Sequence, residues 1–368
     1  MVQTKTKEEL MKEVLAELIK GKDLSQEEAK GVFSSILEGR PTPSQIASLL
    51  TALRLKGETV EEITGAALAL RKKVLKVNSR HTAVSIDRDE INVDEETIVD
   101  TCGTGGDGTL TFNVSTATAF VVAGAGLKVA KHGNRAVSSL CGSADVVEEL
   151  GINLDLTVSD AEICLKELGI VFLYAPLFNG AMRHVASIRR ELGFRTIFNI
   201  LGPLTNPAGA QVQVLGVYHP SLTHKLAEVL KRLGTRDAFV VCGEGTFDEI
   251  SICGPTRVSR LRKGEIEDLE LTPEDLGFRR VPISEIRGGD AQQNAKIIRE
   301  ILDGEKGAKR DMVLMNAAAA FVSAGLDGDL LTGIERAKHS IDSGSAKQKL
   351  EALIKLSQSF KPFVRKEL

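Results

Sequence analysis

The sequence contains no tryptophan and only two tyrosines, so the aromatic platforms on which single-stranded nucleic acids stack are scarce. Its formal charge of -3 lacks the basic excess of a dedicated nucleic-acid or membrane-surface binder. Five cysteines, Cys102, Cys141, Cys164, Cys242 and Cys253, are scattered without a C-x-x-C pair. That spacing suggests neither a zinc site nor a disulfide framework and fits a reducing, cytoplasmic setting. No run approaches the roughly 18 uninterrupted apolar residues expected of a membrane span. Residues 1–9 are charged and begin an amphipathic helix, without the apolar core of a signal segment. What remains is a chain of 368 residues, 42% apolar and 26% charged, with the composition of a soluble globular protein and the length of two domains. Small molecules, not nucleic acids or membranes, are its expected partners.

Residues 6–73 read as four consecutive helices. A small hydroxyl residue followed three positions later by Glu or Gln, the capping-box signature, recurs as Thr6 with Glu9, Ser25 with Glu28, Thr42 with Gln45 and Thr59 with Glu62. Pro43 falls in a first turn, and Gly21, Gly39 and Gly57 fall at helix ends. Residues 74–97 form a polar, acidic stretch that reads as a solvated linker; its carboxylates lack the glycine of a calcium loop. Beyond it, β-rich runs at 96–101, 128–131 and 170–174 alternate with helical patterns at 115–124, 143–150 and 159–168. Such alternation predicts an α/β domain with parallel strands joined by crossover helices. A helix at 180–192, strands at 211–218, 238–242 and 250–253, a helix at 224–233, a hairpin at 257–271 and a mostly helical tail at 290–359 complete the expectation.

Between the first of these strands and its helix lies the segment with the clearest chemistry. Gly103, Gly105, Gly106 and Gly108, followed by Ser115 and Thr116, predict a loop whose N–H groups meet an anion at a helix start. The glycines also satisfy G-x-G-x-x-G. That dinucleotide reading calls for a helix opening directly on the glycines and an acidic residue about 20 positions on; this chain instead has Lys128, Lys131, His132 and Arg135. Basic side chains there suit more phosphate. Ser138, Ser139 and Ser143 add hydroxyls close by, so residues 131–143 could face the glycine loop across the strand ends and hold a pyrophosphate. Asp248 and Glu249, after a strand and a glycine turn, read either as a surface acidic pair or, with Ser115 and substrate phosphates, as hard ligands for Mg2+. Arg189 reads either as part of a solvated helix face or as a fork for the carboxylate of a second substrate.

In this order, G-T-G-G-D-G, N-x-S-T, K-H-G-N-R-A-V-S-S, G-S-A-D, R-x-E-L-G-x-R-T-x-F-N-x-L-G-P-L-x-N-P and D-E resemble the anthranilate phosphoribosyltransferase family, which is related to the pyrimidine nucleoside phosphorylases. The resemblance covers nearly the whole chain. It implies a small all-helical domain of residues 1–73 plus about 177–197, a larger α/β domain of residues 98–176 plus 198–368 with a mostly parallel central sheet flanked by helices, and a hinge at 74–97. It also implies transfer of phosphoribose from phosphoribosyl pyrophosphate (PRPP) to anthranilate, in tryptophan biosynthesis, by a homodimer joined through the helical domain. PRPP would be held by Gly103, Gly106, Asp107, Thr111, Asn113, Val114, Ser115, Thr116, Lys131, His132, Gly133, Asn134, Arg135, Ala136, Val137, Ser138, Ser139 and Ser143. Anthranilate would meet Gly103, Asn134 and Arg189, and Mg2+ would meet Ser115, Asp248 and Glu249. Of the catalytic trio, Lys131 would stabilise the leaving pyrophosphate, His132 would accept a proton late or shape the pocket, and Arg189 would orient the acceptor.

Three departures stand out. Asn179-Gly180 replaces the family's common His-Pro, residues 78–97 exceed the usual connection, and Leu140 stands where a basic residue often follows the serines. Two rivals remain at this point. A pyrimidine nucleoside phosphorylase would carry a lysine and serine leading into the glycines and Val at the position of Asp107. A nucleic-acid-binding paralogue without transferase activity would need the aromatic and basic surface that the composition lacks.

Overall fold

The structure, a computed structural model, describes residues 7–78, 97–105, 110–136 and 140–360. Four helices open it: α1 (Lys7–Ile19), α2 (Gln26–Leu37), α3 (Pro43–Lys56) and α4 (Val60–Lys73). Three of the expected capping boxes form. In each of Ser25/Glu28, Thr42/Gln45 and Thr59/Glu62, side chain and backbone satisfy each other's orphan groups. The Thr6/Glu9 pair lies outside the residues whose side chains are described. Glu62 does more than cap its helix. Its Oε1 accepts from Leu24 N at 3.0 Å, and its Oε2 accepts from Thr59 N at 2.9 Å and Lys56 Nζ at 3.0 Å. One fully buried carboxylate thus joins the α1–α2 connection to the ends of α3 and α4.

The rest is α/β. Strands β1 (Ile98–Gly103), β2 (Lys128–Gly133), β3 (Ile170–Tyr174), β4 (Val212–Gly216), β5 (Asp237–Gly243), β6 (Thr256–Arg262) and β7 (Glu265–Leu271) form one sheet in the order β3-β2-β1-β4-β5-β6-β7. The first five are parallel, and the β6–β7 hairpin is antiparallel. Alternation along each strand sorts side chains to two faces. Val212, Val214, Phe239 and Val241 join a core with helices Val114–Gly124 (α5), Ala308–Ala324, Leu330–Asp342 and Ser345–Ser359. Leu215, Ala238, Val240 and Cys242 join a second core with helix Leu222–Arg232 and the N-terminal helices. Helix Ala308–Ala324 is buried from Met312 to Ser323, which is why its alanine-rich sequence shows little amphipathic pattern.

The chain winds from β1 outward to β3 and then returns to place β4 on the other side of β1. This reversal leaves a crevice beyond the carboxyl ends of β1 and β4, the position at which open α/β sheets bind ligands.

Some expectations need correcting. Residues 250–253 are not a strand. Asn316 supplies the pairing a neighbouring strand would give, accepting from Ile250 N and donating to Ile250 O, both at 3.0 Å, while the Ser251 and Cys253 N–H groups go to Thr256 Oγ1 and Ser251 Oγ. The helix expected at 180–192 opens with a 3-10 turn, Gly180–Met182, before the α-helix Arg183–Leu192, and a separate short helix, Ala175–Phe178, precedes it. The proline-marked run after Arg183–Leu192 forms two short helical turns, Phe198–Leu201 and Gly202–Thr205. Of the 74–97 linker, residues 79–96 lie outside the described residues.

Candidate active site

β1 and β4 both end on glycine, and Gly103 pairs with Gly216 in the sheet register. A Cβ on Gly103 would lie 2.3 Å from Asp248 Oδ2, and one on Gly216 would lie 1.5 Å from the Asp248 carbonyl oxygen. The two glycines therefore let the turn after β5 lie directly over the strand ends. Asp248 Oδ2 accepts from Gly105 N at 2.8 Å, and Glu249 Oε1 accepts from Ser115 N at 3.1 Å in the first turn of α5. Both carboxylates thus touch the glycine loop, one at each foot, and Glu249 sits at the electropositive end of α5.

Lys131, on β2, completes the cluster. It is 3% exposed, and its Nζ donates to Thr101 O at 2.6 Å and Ser115 Oγ at 3.1 Å. Burial pushes its pKa down, opposed by Asp100, Cys102, Glu249 and Asp248. A buried ammonium facing a hydroxyl and main-chain carbonyl is suited to a highly charged anion. Ser115, Asp248 and Glu249 are hard oxygen donors, the chemistry magnesium takes when substrate phosphates and water fill its remaining positions.

On the opposite face of β1 and β2 lies a second polar group. His132 Nδ1 stands 3.2 Å from Gly202 O. A carbonyl oxygen only accepts, so neutral His132 carries its proton on Nδ1 and leaves its Nε2 lone pair open. Nε2 is buried and has no hydrogen-bond partner among the described residues. Burial, with Lys131 adding to it against the Gly202 carbonyl, pushes the pKa of His132 down to about 4, so the ring is neutral at physiological pH. Asn206 Nδ2 donates to Asp100 Oδ2 at 2.8 Å and Ala130 O at 2.7 Å, and Gln213 Nε2 donates to Pro203 O at 2.8 Å. These bonds hold the 202–206 turns against the sheet.

Arg189, on Arg183–Leu192, lies over Phe198 with its guanidinium carbon 5.7 Å from the ring centroid. Burial lowers its pKa. It pairs with no carboxylate among the described residues. Arg195 stacks over Tyr218 at 4.2 Å, and Tyr218 N donates to Thr104 Oγ1 at 3.2 Å, which ties the 195 region to the glycine loop.

The described residues of the 134–143 loop are held chiefly through their backbone N–H groups. Asn134 N donates to Ser143 Oγ at 3.2 Å, and Ala144 N donates to Asn134 O at 3.1 Å. Asp145 Oδ2 accepts from Ala136 N and Gly142 N, both at 2.9 Å. Gly133 closes β2 beneath Ser143. Arg135, expected to add charge to the phosphate grip, instead directs its guanidinium to Glu148 at 2.7 Å and Asp145 at 3.0 Å. Those bonds raise its pKa, and its charge is already matched.

Thr111, Asn113, Val114 and Thr116 surround the foot of α5. Thr111 bridges Arg287, Asn113 Nδ2 donates to Cys141 O at 3.4 Å, Val114 opens the helix, and Thr116 is buried. Gly106, Asp107, Val137, Ser138 and Ser139 lie outside the described residues. Sequence reasoning missed Thr101, Asp100, Asn206 and Asn294. Asp100, a carboxylate in the middle of an apolar strand, and Asn206, inside the quoted G-P-L-x-N-P run, were the visible signals.

The family model for the glycosyl transferase family helical bundle domain matches residues 12–74, and that for the family's a/b domain matches residues 95–347. An anthranilate phosphoribosyltransferase of Geobacter sp. (strain M21) is 52% identical over 348 residues, covering 95% of this chain and 99% of its own. The chain belongs to the anthranilate phosphoribosyltransferase family. The crystal structure of the Thermus thermophilus anthranilate phosphoribosyltransferase matches with a TM-score of 0.85 at 41% identity, covering 94% of this chain and 99% of that one. That of Saccharomyces cerevisiae, in complex with PRPP and Mg, matches with a TM-score of 0.84 at 30% identity, covering 96% and 99%.

Proposed function

We propose that this anthranilate phosphoribosyltransferase joins the amine of anthranilate to the anomeric carbon of PRPP and releases pyrophosphate, the phosphoribosyl-transfer step of tryptophan biosynthesis. The observation that carries the reading is the single cluster of Lys131, Ser115, Asp248, Glu249 and the Gly105 amide at the sheet's switch point. The C–O bond to pyrophosphate breaks as the C–N bond forms, and positive charge is shared with the ring oxygen of the sugar. Lys131 and the loop amides stabilise charge on the leaving group, the largest kind of contribution available to such a site. Ser115, Asp248 and Glu249 would hold magnesium, which when bound neutralises part of the diphosphate charge. Arg189 orients the acceptor carboxylate, a matter of positioning.

His132 is too weak a base to take a proton early. An arylamine is largely unprotonated at neutral pH and demands no strong base, so Nε2 serves as a hydrogen-bond acceptor that orients the amine, and the proton released as the C–N bond forms passes to solvent water.

The same reading includes the division into residues 1–73 plus about 177–197 and residues 98–176 plus 198–368, and a cytoplasmic location. Among the described residues no helix is long and apolar enough to cross a membrane. It also includes a homodimer joined through the helical domain. Ile19 and Leu55, 78% and 82% exposed at the ends of the mutually packed α1 and α3, are candidate contacts, which sedimentation equilibrium checks. The direct test of function is loss of anthranilate fluorescence on adding PRPP and magnesium. Consumption that depends on both supports the transfer; release of thymine from thymidine and phosphate, without anthranilate consumption, would overturn it.

A further inference from the structure

A third strap meets the two substrate loops, and it comes from far along the chain. Residues 287–289 run against the end of the glycine loop: Thr111 bridges Arg287 in antiparallel fashion, and Gly288 N donates to Leu110 O at 2.9 Å. The approach is so close that a Cβ on Gly288 would lie 2.6 Å from Phe112 Cα and 2.7 Å from Phe112 N. Leu110, beside this contact, has a φ of 56°, a left-handed conformation that a leucine holds only when its surroundings fix it.

Asn294, in the first turn of helix Ala291–Leu302, closes the strap. It is 1% exposed. Its Oδ1 accepts from Gly289 N at 2.8 Å, and its Nδ2 donates to Asn113 Oδ1 at 2.9 Å and Gly289 O at 3.3 Å. Asn113 passes the connection on, donating from Nδ2 to Cys141 O in the second loop at 3.4 Å. A single buried amide thus links the strap to the foot of the glycine loop and, through Asn113, to the base of the 134–143 loop.

We infer that Asn294 is a positioning residue for the phosphoribosyl donor: it holds the feet of both phosphate-facing loops in register before the diphosphate arrives. It touches no substrate. This role rests on the proposed transfer reaction and extends it, since preorganised donors contribute to binding only where their supports are fixed.

Two variants separate this role from mere packing. Asn294→Ala removes all three bonds. Asn294→Asp keeps the acceptor for Gly289 N but loses the donor to Asn113, so it guards against a variant that fails to fold. Calorimetry with PRPP and magnesium should show donor affinity falling about tenfold in Asn294→Ala, the scale of a lost buried hydrogen bond, and less in Asn294→Asp. The KM for anthranilate should stay within about twofold, a change too small to count as a lost contact. Without ligand, hydrogen exchange should quicken at residues 110–113 and 140–144 and stay unchanged in the N-terminal helices. Unchanged donor affinity in both variants, or an equal rise in KM for both substrates, overturns the inference. Wild-type protein that binds no PRPP overturns the transfer reaction itself, and unaltered exchange at the two loop feet overturns the positioning role independently of any activity.

Discussion

Two polar neighbourhoods, one in the helical domain and one beside the strand ends, are handled in opposite ways. In the helical domain, Lys56 Nζ donates to Glu62, Asp23 and Gly57 O at 3.0, 2.6 and 2.9 Å, and Glu62 accepts from three donors. Around the strand ends, Arg189 has no carboxylate and His132 Nε2 has no donor among the described residues. Unmet polar groups are costly when buried. The contrast therefore teaches where the fold tolerates cost: the Lys56–Glu62 pair is satisfied internally, whereas the Arg189 guanidinium and the neutral His132 ring keep unmatched polar atoms among the described residues, the groups to which the proposed reaction assigns the acceptor.

The comparison can be broken most forcefully at Lys131. Lys131→Met should lower transfer turnover by about 10³, the upper range for removing one preorganised stabilising group, with little change in thermal stability; a fall of less than tenfold in a steady-state assay would place the ammonium outside the reaction. Next is the structural side. Glu62→Gln keeps the capping box, as Gln45 does in α3, but leaves Lys56 without its buried partner. It should cost about 3 kcal/mol in urea unfolding and leave both KM values alone. Altered kinetics without altered stability would reverse the assignment of the two neighbourhoods.

Arg189→Ala should raise the KM for anthranilate about 100-fold, the scale of a lost charged hydrogen-bonded pair, while calorimetric PRPP affinity holds. A selective loss of PRPP affinity would contradict its place on the acceptor side. The smallest effect concerns pH. His132 is held neutral with its pKa down at about 4, against roughly 6.5 when unfolded. Between those values the unfolded chain binds the extra proton, so stability is lost as pH falls from about 6.5 toward 4. At pH 5 the loss is about 2 kcal/mol. Asn in place of His132 can still donate to Gly202 O but cannot be protonated, and His132→Asn should flatten that part of the stability curve in unfolding titrations from pH 7 to 4; an undiminished slope assigns it elsewhere.

Local signals were the legible ones. Ser25, Thr42 and Thr59 announced their helices because each capping box closes within three residues, and Gly103 with Ser115 announced the junction from β1 to α5 because both feet lie in one short segment. The unreadable features depend on distant partners. Asn316 imitates a strand neighbour for Ile250 across 66 residues, and Asn294 reaches Asn113 across 181. Neither asparagine stands out in its own helix. Arg135 has partners of the same distant kind: beside Lys131 it reads as phosphate-binding charge, and without ligand it pairs with Asp145 and Glu148 on the following helix.

The most direct test of the central claim is calorimetric titration of PRPP into the wild-type protein and into Lys131→Met, with and without magnesium. Magnesium-dependent binding by the wild type, weakened at least about tenfold in the variant as a lost charge-assisted bond should be, is the predicted result. Absence of binding at every magnesium concentration, or equal binding by both proteins, would contradict the account.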